Sequence, residues 1–120
     1  MENTYFDQES YENDIALEVN QDVLKRIYSD GILEEDILPI EFYFLTDSED
    51  KTHKLEKHIL LNYPEYTSLQ ILDYQGDTEL RGITQPIKMS LDAVNHWNIV
   101  MWNLGYEFDC KLDGWQVKTS

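Results

Sequence analysis

Cysteine is nearly absent from this chain. Cys110 is the only one in 120 residues, so neither a disulfide framework nor a four-thiolate metal site can form from them. Basic residues are also scarce. Nine Lys and Arg stand against 24 Asp and Glu, a formal net charge of −15. A nucleic-acid binder needs a basic footprint to neutralise phosphates, and an anionic membrane face needs the same. The balance argues against both as direct ligands. Long apolar runs are missing too: none approaches the ~18 residues of a membrane span. No basic segment followed by an apolar core opens the chain, so a cytoplasmic location is expected. The five glycines are scattered, and none forms a phosphate-cradling loop.

What is present supports a packed core. Hydrophobic residues make up 42% of the chain, and 120 residues suffice for one domain that buries about two-thirds of its unfolded surface. The charge is uneven. Positions 1–36 hold eleven acids against Lys25 and Arg26, a net of −9, and the remaining positions carry −6. Such a balance serves solubility, or it steers a basic protein partner toward the surface.

The opening "MENTYFDQESYE" is polar and acidic with isolated aromatics, so residues 1–13 are expected to form a flexible acidic arm, with one domain over 14–120. Ile15, Val19, Val23, Leu24 and Ile27 recur at helical spacing, and Gly31 stands where a helix C-cap belongs. A helix is predicted over 14–29. "LPIEFYFL" alternates as a strand, with Ile40, Phe42 and Phe44 on one face. "TDSEDKTHKLEKHILLN" follows as a helix with a buried stripe of Thr52, Leu55 and Ile59. "TSLQILDYQ" is a second strand, and Gly76-Asp77 turns the chain into a third, "ELRGITQPIKM". Pro86 inside that third strand predicts an edge position or a bulge. A further helix carries Leu91, Val94, Trp97, Met101 and Leu104 on its core side and ends at Gly105. "YEFDCKL" is the last strand, with Phe108, Cys110 and Leu112 facing inward. After the first helix the order is β-α-β-β-α-β. This is an α+β, ferredoxin-like split βαβ arrangement, with two helices on one face of an antiparallel sheet.

Catalytic patterns are lacking. His53 and His58 are five apart and fall on different faces of one helix, while His96 lies on the polar side of the last helix. No HExxH and no histidine pair at i, i+4 occurs, and no metal or cofactor is expected. "DSED" at positions 47–50 has the charge of a calcium loop without its glycine or distal glutamate, so helix capping explains it. Cys110 reads as a buried, inert thiol. Glu34, Glu35 and Asp36 form an acidic run that is either a solvated loop or a docking surface for a basic partner. Trp102 falls outside the core stripe of its helix. It either packs against the N-terminal helix or stands exposed as an interface anchor.

The C-terminal stretch "YEFDCKLDGWQV" places a strong turn dipeptide, Asp113-Gly114, where little chain remains. Gly114 allows a positive φ for a sharp bend or a bulge, after which Trp115 folds against the sheet or a helix with its N–H available to a partner. The segment "NLGYEFDCKLDGWQV" resembles the C-terminal signature of the regulator of ribonuclease activity B family. "VLKRIYSDG" and "LPIEFYFLTDSEDKTHKLEKHI" resemble that family's first helix and its strand-helix unit. The resemblance spans 19–117 and is strongest over 111–115. It implies a ferredoxin-like fold and a non-catalytic role: binding the endoribonuclease ribonuclease E and reducing its RNA cleavage, without a cofactor. Asp113, Gly114 and Trp115 carry the signature. A different class of protein remains compatible with the charge: an acidic decoy or immunity-type protein covering the basic nucleic-acid site of a nuclease or toxin. Oligomeric state is open.

Overall fold

A computed structural model describes residues 3–117. Its elements run α1 (Gln8–Asn13), α2 (Leu17–Ser29), β1 (Ile37–Leu38), β2 (Ile40–Thr46), α3 (Glu49–Asn62), β3 (Thr67–Tyr74), β4 (Asp77–Ile83), β5 (Ile87–Lys88), α4 (Leu91–Glu107) and β6 (Lys111–Val117). Four strands make an antiparallel sheet in the order β3-β4-β2-β6. With α3 and α4 on one face this is the ferredoxin-like split βαβ arrangement that the pattern predicts. A separate two-residue ribbon joins β1 to β5.

β2 is central because it satisfies both requirements of a middle strand: no proline, and apolar residues at every second position. Ile40, Phe42 and Phe44 are fully buried on its inner face. Leu55 and Ile59 of α3 and Trp97, Met101 and Leu104 of α4 close over them in a single cluster. Thr52, Leu55 and Ile59 are all buried, matching the expected stripe of α3. Gly31 has φ +101 just past α2 and donates its N–H to the Tyr28 carbonyl, the left-handed C-cap that the sequence signals.

Several boundaries differ from expectation. Helix α2 starts at Leu17 rather than position 14, because Asp14 ends α1 and pairs with Lys111 at 2.8 Å instead. The expected third strand stops at Ile83. Pro86 lies beyond it, so β4 is an interior strand and the proline costs it no ladder bond. The turn before it is Gln75-Gly76, both at positive φ, the combination that a two-residue type I′ hairpin requires.

The segment expected to be a loose arm is packed. Phe6 is fully buried, edge-on to Trp102 at 4.7 Å and to Tyr106 at 5.5 Å, and Tyr11 stacks on Tyr106 at 4.3 Å. Its aromatics have somewhere to go because α4 presents rings on a flank that α2 and α3 leave uncovered.

Helix α4 runs two residues past Gly105, and the last strand begins only at Lys111. Gly105 is therefore not a stop. A Cβ there would overlap the Cys110 carbonyl oxygen and come within 2.9 Å of the Phe44 ring. Its missing side chain lets α4 lie against the sheet. Gly105→Ala should accordingly lower stability by about 2–3 kcal/mol, as overpacking against backbone does. Gly114→Ala, where a Cβ meets nothing within 4 Å, should change it by less than about 0.5 kcal/mol. Urea titrations of both variants check the contrast.

Candidate protein-docking surfaces

The Asp-Gly-Trp signature lies within β6. Tyr43 of β2 sits opposite Gly114 and Phe44 opposite Leu112, which leaves Asp113 as the extra residue of a β-bulge. Of the expected bend or bulge the structure shows the bulge, but without the positive φ expected at Gly114: the positive-φ glycines among the described residues are Gly31 and Gly76. Asp113 points to solvent, and Trp115 returns to the inner face opposite Phe42.

The Trp115 indole donates to Asn20 Oδ1 at 2.8 Å. Asn20, on α2 and 2% exposed, in turn donates from Nδ2 to Asn95 Oδ1 at 2.9 Å and to Asn98 Oδ1 at 3.0 Å, both on α4. Four side chains from three elements thus satisfy one another in a buried polar knot. A buried amide without partners would cost about 1–3 kcal/mol, so the knot fixes how α2 sits on α4 and β6. Apolar periodicity could not reveal it. The available signal was the polar side chain of Asn20 within the turn of α2 that carries Val23 and Leu24.

Trp102 is 5% exposed. It packs on Phe6, and its N–H donates to the Tyr11 carbonyl at 3.0 Å. It is therefore a core residue and not the exposed anchor that one sequence reading allowed. The N-terminal segment, through Phe6 and Tyr11, covers it.

The acidic run forms a turn between α2 and β1. Asp36 is committed to that turn: its Oδ2 accepts from the Leu33 N–H at 2.8 Å, and its carbonyl accepts from the Met89 N–H at 2.8 Å. Glu34 and Glu35 are exposed and make no hydrogen bond or ion pair among the described residues. Exposed Leu33 and Ile37 flank them, at 56% and 62%. No hydrogen bond or ion pair among the described residues joins Glu34, Glu35 or Asp36 to Asp113 or Trp115, and Trp102 is buried, so the sequence's candidates do not form one polar site.

A second internal node involves Asp109, which sequence reasoning passed over. Its backbone has φ +56, a region that aspartate tolerates better than most residues. Its carboxylate accepts from the backbone N–H groups of Thr4 at 2.9 Å, Tyr5 at 3.1 Å and Phe6 at 2.7 Å. The Lys51 ammonium lies 2.5 Å from Asp109 and 2.7 Å from Asp47. Burial alone would raise the Asp109 pKa, but Lys51 and the three amides outweigh it and hold the carboxyl at about 2. Burial also pushes the Cys110 thiol up to about 12, so it carries negligible thiolate near neutral pH. The described residues contain no group of three or more His, Cys, Asp or Glu able to hold a metal ion, and no helix long and apolar enough to cross a membrane.

The Asp109 carboxyl titrates below its unfolded value of 3.8, so its stabilisation is complete above about pH 4 and is lost as pH falls toward 2. The loss should be on the order of 1–2 kcal/mol, allowing for solvent screening of the Lys51 side. Asp109→Ala should remove that acid sensitivity, reduce stability by about 2–4 kcal/mol at neutral pH and speed proteolysis within residues 3–14. Denaturant midpoints across pH 2–7 and limited proteolysis check both.

A family model described as regulator of ribonuclease activity B matches residues 17–117. No curated protein matches the chain.

Proposed function

The chain belongs to the regulator of ribonuclease activity B family, whose model covers residues 17–117 of 120, and from that premise we propose that it regulates by binding rather than by catalysis. The family regulates ribonuclease activity, as its description states. The partner we assign is ribonuclease E, and the effect is reduced RNA cleavage. The observation that carries this is the family match over nearly the whole chain.

The charge supports the choice of partner. At −15 the protein repels RNA and attracts a basic, RNA-binding scaffold, so it competes with RNA for that scaffold or occludes it. Such binding acts by mass action, needs no cofactor, and takes place in the cytoplasm where the partner works. Glu34 and Glu35 are the first candidates for contact. Neither has an internal partner among the described residues to lose, and Leu33 and Ile37 add apolar area beside them.

The test is binding of the purified protein to the basic C-terminal scaffold of ribonuclease E at low and at physiological salt, with RNA cleavage followed in parallel. Micromolar or tighter binding that weakens with salt, together with slower cleavage, is expected. The double variant Glu34→Gln, Glu35→Gln should weaken binding about three- to tenfold at low salt and less at ~0.15 M, where the Debye length is about 8 Å. Absence of binding at both salts overturns the assignment. Competition by an RNA oligonucleotide bound at the catalytic domain, rather than at the scaffold, would favour the decoy reading.

A further inference from the structure

The two edges of the sheet are not alike. The order β3-β4-β2-β6 leaves a free side on β3 and another on β6. α2 and Asp14 stand beside β6, held there by the Asn20–Trp115 and Asp14–Lys111 contacts. β3 is the longest strand of the sheet, eight residues of sequence "TSLQILDY" with no proline, lysine or arginine. Open edges are normally blunted by lysines, prolines, bulges or brevity. In β3 the bulge is confined to the start, where pairing to β4 slips between Thr67 and Gln70 and Ser68 takes φ +56. Its one charge, Asp73, is confined to the end. The middle of the edge is unprotected.

The hairpin fixes which backbone groups are free. Its two-residue turn, Gln75-Gly76, makes Tyr74 and Asp77 a hydrogen-bonded pair. Alternation then commits Leu72 to Glu79 and Gln70 to Arg81 of β4. The N–H and C=O groups of Leu69, Ile71 and Asp73 point the other way, off the sheet, and no described residue bonds to them. The three are spaced evenly about Ile71, with the bulge at Ser68 on one side and the turn after Tyr74 on the other. Such an edge pairs antiparallel with a copy of itself and leaves none of its groups over.

We infer that two copies of this chain join antiparallel through β3, with the two-fold axis at Ile71, so that two four-stranded sheets become one continuous sheet. Ile71 then pairs with its own counterpart, Leu69 with Asp73 and Asp73 with Leu69, each pair exchanging both N–H···O bonds. A shift of two positions in either direction loses one of these pairs, to the turn at Gln75 or to the bulge at Ser68. The side chains agree with this register. On the inner face the half-buried Ile71 is covered by its counterpart, and on the outer face the exposed Leu72 lies opposite Gln70. The two Asp73 carboxylates stand four positions apart, about 13 Å along the strands, which exceeds a Debye length of about 8 Å at physiological salt. A basic partner strand fits this edge less well, because the edge offers it one carboxylate and otherwise uncharged side chains.

The test is self-association of the full chain, followed by sedimentation equilibrium and by amide hydrogen exchange. The interface is a small one, so a dimer dissociation constant of about 10–100 µM is expected. Raising salt from about 0.05 to 0.5 M should strengthen it, because each copy carries −15 and the copies repel less. That is the opposite of the salt response expected for ribonuclease E. The amides of Leu69, Ile71 and Asp73 should gain protection with concentration, while those of Gln70, Leu72 and Tyr74 are protected already. Gln70→Lys with Leu72→Lys sets like charges opposite each other across the axis and should weaken the dimer about tenfold. Gln70→Glu with Leu72→Lys sets opposite charges there and should bring it back to within about threefold of the parent. Both positions are exposed, so neither variant disturbs the core. A monomer at both salts up to about 1 mM, a dimer indifferent to both variants, or equal weakening by both would overturn the pairing. So would protection of the same three amides by ribonuclease E in a protein that stays monomeric alone, which would give the edge to that partner. A dimer that does not bind ribonuclease E keeps the pairing and loses the assigned partner.

Discussion

Everything in this fold depends on keeping the inner face of β2 dry. Ile40, Phe42 and Phe44 present three large apolar side chains in one row, with neighbouring strands on both sides. Exposing any one of them would cost about 2–3 kcal/mol, a large share of a small domain's net stability. Helices α3 and α4 supply most of the cover. They do not supply all of it, because α4 is apolar around much of its circumference and brings rings to its own flanks. Trp102 and Tyr106 then require a second layer, and Phe6 and Tyr11 provide it. The other flank is closed by α2 and Trp115.

The two closures are secured by polar rather than apolar means, and for a physical reason. Hydrophobic contact is nondirectional and would let a short segment slide. The carboxylate of Asp109 captures three consecutive amides and so fixes the register of residues 4–6. Asn20 does the same for α2, tying it to α4 through Asn95 and Asn98 and to β6 through Trp115. The outer face of the sheet has no helix over it and relies on side chains lying across one another. Arg81 stacks over the Tyr43 ring at 4.9 Å, and the Tyr43 hydroxyl donates to Glu41 at 2.6 Å.

Legibility in the sequence followed this division. Strand β2 and helix α3 could be read because their burial is periodic and apolar, which is the signal that alternation and helical spacing carry. Gly105 was read as a stop because glycine usually marks one, whereas here close approach to Phe44 and Cys110 explains it. That error displaced the start of β6 and made Asp113-Gly114 look terminal. Phe6 was missed because a lone aromatic among acids has no period. Its burial is decided by α4, about a hundred positions away. The Asn20 knot was invisible for the opposite reason: each amide alone looks like surface, and only their convergence makes them interior. The acidic run was legible as charge but not as structure, since nothing in its composition separates Asp36, committed to the turn, from Glu34 and Glu35.

That separation matters for function as much as for fold. Net charge counts every carboxylate equally, but a partner cannot use them equally. Asp109, Asp47 and Asp14 already hold lysines or backbone amides, and a partner's cation would have to displace those contacts or share them. Asp109 and Asp113 make the point within five residues of the same segment. One is surrounded by donors and held ionised to about pH 2 for internal use, and the other, exposed at a bulge, makes no hydrogen bond or ion pair among the described residues. Long-range attraction comes from the whole −15 and falls off with salt, whereas short-range recognition must come from acids whose donors have yet to arrive. Glu34, Glu35 and Asp113 are of that second kind. An acidic regulator therefore owes its reach to its composition and its selectivity to which of its unanswered carboxylates a partner's donors can meet together.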